Sequence, residues 1–149
     1  MNAAKDTKSG FSEEERAAMK ERAAELKAQR GGGSKAAKAE KDLEAALDAI
    51  AALPDDERAM AERIHEIVTE TAPHLAPKTW YGFPSYARDG KIVVFFSPAS
   101  KFKTRYSSLG FEEAANLDDG SMWPVSFALT KLTKADEKRI AELVARAAS

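Results

Sequence analysis

The chain has 149 residues, enough for one domain of ordinary size, and it contains no cysteine and carries a net charge of −1. The absence of cysteine excludes disulfides, thiolate nucleophiles and cysteine-ligated zinc or iron–sulfur clusters, and it is typical of a reducing compartment. Residues 1–41 hold 10 basic and 7 acidic side chains, so even this more basic part is too weakly charged to predict nucleic-acid binding.

The apolar stretches are short. The longest uninterrupted one runs from Ile92 to Phe96, far below the ~20 residues of a membrane span, and the N-terminus lacks the apolar core of a secretory signal. We therefore expect a cytoplasmic protein with no membrane partner.

Residues 12–30 are rich in helix-forming residues, and Ser12 with Glu15 has the spacing of a capping box. The segment offers few apolar side chains, and a glycine run beginning at Gly31 follows it. That run lacks the spacing of a phosphate-binding loop, which favours a linker. The pattern predicts a mobile charged helix and a linker over 1–40, and a separate domain over 41–149.

Two amphipathic helices are predicted next. The first begins near Lys41 and is ended by Pro54; the second begins at Asp55, whose carboxylate is expected to cap it, and lasts until Pro73. Their expected core-facing residues are Leu43, Leu47 and Ile50, and then Met60, Ile64, Ile67 and Val68.

Strands are predicted for the segments that follow. Residues 79–87 are aromatic and interrupted by Gly82 and Pro84, which predicts an edge strand or a bulge. Asp89-Gly90 indicates a tight hairpin leading into an apolar run over 91–97, which we expect to be the central strand.

Residues 101–107 alternate basic and apolar side chains, as a half-exposed strand does, and a further strand is predicted over 123–129. A last helix should begin near Thr133 and Asp136, with its apolar stripe at Ile140, Leu143, Val144 and Ala147. Together these elements predict an α+β fold in which helices cover an antiparallel sheet.

The segment from Tyr81 to Tyr86, the pair Gly90-Lys91 and the pair Lys101-Phe102 resemble the YdhG-like domain family, largely uncharacterised bacterial proteins. The segments 116–120 and 122–124 resemble one branch of it, and the resemblance covers about residues 41–149. It implies a frataxin-like layout and, because at least one member is described as an iron chaperone, a candidate activity. No catalytic residue is carried over, since the matching residues are mostly glycine, proline and aromatics, which report a fold.

Carboxylates recur every four residues on the first two helices of the domain: Glu40, Glu44 and Asp48, then Glu62, Glu66 and Glu70. Such oxygen ligands suit hard cations or loosely held iron, as a frataxin-like chaperone would need. The alternative is a solvated helix surface on which Arg58 and Arg63 neutralise the acids.

Two further sets of residues suggest binding. The aromatic side chains could line a ligand pocket or fill the core: Trp80, Tyr81, Phe83, Tyr86 and Trp123. Lys101, Lys103 and Arg105 are expected on one sheet surface, where they could hold an anionic ligand or an acidic partner protein, or simply face water.

No arrangement of nucleophile, base and orienting group indicates catalysis, and His65 and His74 lack the spacing of a zinc site. Asp118-Asp119-Gly120 is typical of a turn. We therefore predict a non-enzymatic module, monomeric or weakly dimeric and without a cofactor, that binds a small ligand or a protein. A metal chaperone with weakly bound iron is the alternative, and an enzyme with an unrecognised site is the third hypothesis.

Overall fold

The computed structural model describes residues 10–31 and 33–149, so the predicted tail lies partly outside the described residues, as does Gly32 of the predicted linker. Within them the chain forms five helices and five strands, and the predicted α+β class is confirmed. The elements in order are α1 Glu13–Arg30, α2 Lys35–Ala51, α3 Asp55–Thr71, β1 Ala76–Trp80, β2 Phe83–Arg88, β3 Lys91–Ser97, α4 Ala99–Phe102, β4 Ser107–Phe111, β5 Ser126–Leu129 and α5 Lys134–Ala147.

The five strands form one antiparallel meander in the order β1-β2-β3-β4-β5. Strand β3 lies in the middle, which confirms the prediction of a central strand over 91–97. The predicted hairpin at Asp89-Gly90 is also present, because Arg88 pairs with Lys91 across a two-residue turn.

The predicted single strand over 79–87 is wrong, because the chain turns back within it. Trp80 pairs with Phe83, so Tyr81 and Gly82 form a second two-residue turn with φ of 53° and 84°. Such turns favour Asn-Gly or Asp-Gly, since both residues take positive φ, and a tyrosine at the first position hides the signal.

The predicted strand over 101–107 is also wrong. The chain forms the short helix α4 there, Lys103 takes the left-handed conformation, and β4 begins only at Ser107. Tertiary partners stabilise α4: the Ala99 N–H donates to Oγ of Ser107 at 2.9 Å, and the Ser100 hydroxyl donates to Glu57 at 2.7 Å. Lys101, Lys103 and Arg105 therefore do not project together from a strand. The last predicted strand is shorter than expected and starts at Ser126.

Helices α3 and α5 bury the residues predicted for them. Ile64, Val68, Ile140 and Val144 are all at most 4% exposed, although Leu143 is only half-buried. In α2 the prediction fails for Leu47, which is 45% exposed, because the helix buries Ala46 and Ile50 instead.

The helix ends agree in part with the sequence signals. The predicted capping box at Ser12 with Glu15 is present, and the predicted helix start at Thr133 and Asp136 also forms a capping box. Asp55 does not cap α3; its carboxylate pairs with Arg58 at 2.9 Å, and Pro54 occupies the cap position.

The two sides of the sheet differ in what they contact. Tyr86, Val94 and Leu109 belong to the core cluster shared with α3 and α5. Side chains alternate along a strand, so Phe83 and Phe95 point to the opposite side. There Phe95 lies over Gly110, where an added Cβ would overlap its ring. This second side is also covered over β2, where Phe83 is 6% exposed and Ser85 is fully buried, and helix α2 packs against β1 and β2.

Candidate functional site

Helix α1 docks on the turn between β1 and β2 through one carboxylate. Oε1 of Glu25 accepts the Tyr81 N–H at 3.1 Å, and Oε2 accepts the Gly82 N–H at 3.0 Å. A two-residue turn leaves these N–H groups outside the strand ladder, so they need another acceptor. The Glu25 side chain is only 13% exposed, which places both hydrogen bonds in a shielded setting.

Two lysines, one in α4 and one directly after it, hold two more carboxylates of α1. Nζ of Lys101 lies 3.0 Å from both carboxylate oxygens of Glu21, and Nζ of Lys103 lies 2.9 Å from Oε1 of Glu14. The hydrogen bond from Lys103 lowers the pKa of Glu14, and the same bond raises the pKa of Lys103. Both groups therefore stay charged at neutral pH.

An aromatic cluster lies next to these donors. Trp80 contacts Phe83 and Phe95 with ring centroids 5.9 and 5.4 Å apart, and Phe83 meets Phe102 at 6.2 Å. Tyr81 packs edge-on against Trp80 at 5.1 Å. We call this region the turn surface and define it by one exposed residue, Lys103, and five half-buried ones, Trp80, Tyr81, Gly82, Lys101 and Phe102.

The structure brings together only some of the residues predicted for binding. Trp80, Tyr81, Lys101 and Lys103 all belong to the turn surface. Arg105 does not: its guanidinium lies over the Tyr106 ring, 5.1 Å from the centroid.

Tyr86 and Trp123 lie elsewhere. Tyr86 is buried in the core, where its hydroxyl lies 2.9 Å from Nδ1 of His65. Burial raises the pKa of Tyr86 and lowers that of His65. Trp123 lines a separate cavity of about 520 Å³ together with Phe111 and Leu117. The predicted aromatic residues therefore do not share one pocket.

Sequence reasoning missed the residues of α1 that meet the turn surface. Glu14, Glu21 and Glu25 stand at i, i+7 and i+11, on one side of the helix. That spacing, on a helix with almost no apolar stripe, indicates a helix surface that docks through its charges. The prediction of a mobile tail rests on apolar residues alone and does not use this spacing.

The acidic residues predicted to bind metal lie on α2 and α3. Arg58 pairs with Glu62 at 3.4 Å and Arg63 with Glu66 at 3.1 Å, as predicted for a solvated helix surface on which arginines neutralise the acids. Among residues 10–31 and 33–149, no group of three or more acidic or histidine side chains is placed to hold a metal ion. Iron binding by Glu44, Asp48, Glu62, Glu66 or Glu70 stays a prediction.

In the described part of the chain no helix is both long and apolar enough to cross a lipid bilayer. Comparisons with protein-family models, with curated proteins and with solved structures gave no significant match. The resemblance to YdhG-like domains is therefore still a prediction, and the function has to be argued from the geometry.

Proposed function

We propose that this chain is a non-enzymatic interaction module whose turn surface binds carboxylate groups of a partner. The observation that carries the proposal is the carboxylate of Glu25, which accepts one hydrogen bond from each of the Tyr81 and Gly82 N–H groups. The turn thus presents two donors at the separation of the two oxygens of one carboxylate.

The chemistry of the turn surface supports binding over catalysis. Its polar groups are backbone N–H donors and the ammonium groups of Lys101 and Lys103, and such groups attract anions. The raised pKa of Lys103 keeps its amine protonated, so it does not serve as a base at neutral pH. Trp80 and Phe102 supply an apolar wall beside the donors, as binding sites commonly have.

The test uses the full chain with Glu14→Gln, Glu21→Gln and Glu25→Gln, which weakens the contacts of α1 while keeping its helix propensity. Poly-L-glutamate, which presents carboxylates without fixed spacing, is titrated at neutral pH and low ionic strength. We expect saturable shifts of the Tyr81 and Gly82 amide signals by NMR, weakening as salt is added.

The control adds Lys101→Ala and Lys103→Ala to the triple variant, and these changes should reduce the affinity by about tenfold or more, because two charge-assisted contacts are lost. Amide signals of β3 report that the fold is intact. Unchanged Tyr81 and Gly82 signals at saturating poly-L-glutamate would overturn the proposal.

A further inference from the structure

We infer that the partner of the turn surface is an acidic helix, and that α1 is its stand-in within the chain. This inference rests on the proposed function, because it names the kind of molecule that brings the carboxylates. It is drawn from how α1 sits on the surface.

Three carboxylate contacts of α1 form a row, and Arg22 of the same helix lies over the Tyr81 ring and pairs with Glu25 at 3.4 Å. Glu14 meets Lys103, Glu21 meets Lys101, and Glu25 meets the turn N–H groups. At 1.5 Å per residue the row is about 17 Å long, which a small carboxylic acid cannot span. A helix holds carboxylates at these separations on one side, whereas an extended strand does not. The surface therefore fits a helix.

The helix backbone must also come close to the surface. Ala18 lies between Glu14 and Glu21 on the same side of α1, and it is 2% exposed, the lone buried residue of this helix. A larger side chain at this position would separate the carboxylates from their donors. The partner is therefore expected to carry Glu, a small residue, Glu and Glu at i, i+4, i+7 and i+11.

Two of the three carboxylate contacts of α1 are weak enough to exchange, whereas the shielded hydrogen bonds of Glu25 are the stronger part of the docking. Each ion pair has one exposed and one more shielded member, Lys103 at 77% with Glu14 at 25% and Glu21 at 45% with Lys101 at 18%, and such partly exposed pairs contribute about 0–1 kcal/mol each. One buried alanine adds little, and a free helix of this length is marginal in water. The short connection from Arg30 to Lys35 keeps α1 at a high local concentration near the turn surface, and this favours docking even though the ion pairs are weak.

The turn surface also has room that α1 leaves open. A groove of about 380 Å³ lies between α1 and the rings of Tyr81 and Phe102, and Phe11 and Met19 at its border are 45% and 38% exposed. A partner helix that takes the place of α1 and carries bulkier residues beside the small one would gain apolar contact with the rings of Tyr81 and Phe102.

The test measures two labelled peptides against the wild-type chain and the triple Glu→Gln variant by fluorescence anisotropy. The matched peptide has the sequence of residues 11–30; the shuffled peptide has the same composition with its acidic residues moved off the common side. We expect the variant to bind the matched peptide about tenfold more tightly than the shuffled one, and about tenfold more tightly than the wild type does.

Each other outcome has a defined meaning. Equal binding of both peptides to the variant overturns the helical partner and leaves carboxylate recognition standing, as does failure of both peptides when poly-L-glutamate still binds. Equal binding of the matched peptide to wild type and variant overturns the role of α1 as a stand-in. A wild-type dimer that the triple variant loses would make a second copy the occupant and overturn a separate partner. Failure of every probe overturns the proposed function itself.

Discussion

Two structural constraints favour glycine at position 82 of the turn surface, its backbone conformation and the lack of space for a side chain. Its φ is 84°, a conformation that other residues adopt only with strain, and an added Cβ would overlap Oε2 of Glu21 and lie 2.7 Å from Nζ of Lys101. Gly90, in the other two-residue turn, has a similar φ of 80° but no atom within 4 Å of such a Cβ. Substitutions at the two glycines would therefore share the same backbone strain, and only the substitution at Gly82 would also disturb the contact with α1.

We predict that Gly82→Ala and Gly90→Ala both lower the free energy of unfolding by about 1–2 kcal/mol, because each forces an alanine into the left-handed region. Only Gly82→Ala should also push Glu21 away from Lys101 and loosen α1. Hydrogen exchange of the α1 amides, compared with chemical denaturation of both variants, checks this prediction. Equal α1 exchange in the two variants would contradict it.

Single residues also show where local signals mislead. Asp89-Gly90 was recognised as a turn because aspartate and glycine tolerate positive φ, whereas Tyr81 at 53° has no such preference. Tyr81 is held in the turn by the Glu25 carboxylate and by packing against Trp80. Glu25 is distant from Tyr81 in the chain, and Trp80 packs against Tyr81 in the folded turn. The residue type of Tyr81 alone therefore could not reveal the turn.

Among the elements, α1 differs most from its prediction. Its helical character and its capping box follow from local propensity and were predicted correctly. A mobile tail was predicted because the segment has few apolar residues, but it contacts the turn surface through charges. Hydrophobic periodicity does not detect docking of this kind, because the information lies in the spacing of the carboxylates.

We predict that Ala18→Lys detaches α1, because it puts a long cationic side chain into a buried position between α1 and a surface that already carries two lysines. Ala17→Lys is the matched control, since Ala17 is exposed and the change in charge is the same. The Tyr81 and Gly82 amides, freed from Glu25, should then exchange about tenfold faster or more in the first variant alone.

Hydrogen exchange followed by NMR measures this directly. If Ala18→Lys leaves the exchange of both amides as slow as in Ala17→Lys, the docking of α1 does not depend on close approach at Ala18. In that case the requirement for a small residue in the partner helix fails as well.

At the scale of the whole molecule, the His65 and Tyr86 pair joins the helix layer to the sheet. His65 belongs to α3 and Tyr86 to β2, and the ring nitrogen and the hydroxyl lie 2.9 Å apart. Desolvation by burial lowers the pKa of His65 below its ordinary 6.5, although nearby Glu66 acts in the opposite direction. The unfolded chain therefore takes up a proton at this residue more readily than the folded one.

We predict that protonation of His65 does not reduce the free energy of unfolding above pH 6.5. This free energy should decrease as the pH falls from 6.5 toward the lowered pKa of the folded state, since protons then favour the unfolded chain. Denaturation of the wild type and of His65→Gln over about pH 5 to 8 checks this, because glutamine accepts a hydrogen bond without titrating. His74 is present in both proteins, so its contribution cancels, and identical pH profiles would contradict the prediction.

The fold class, the central strand and the buried sides of α3 and α5 were determined by the sequence alone, because hydrophobic periodicity and caps depend on residues within one or two turns of each other. The turn surface was not determined in this way. Glu25 lies 56 positions from Tyr81, and Glu21 lies 80 positions from Lys101. Which carboxylate meets which donor depends on how α1, the hairpin and α4 pack in three dimensions, so only the tertiary structure decided that a charged helix and an aromatic turn lie in contact.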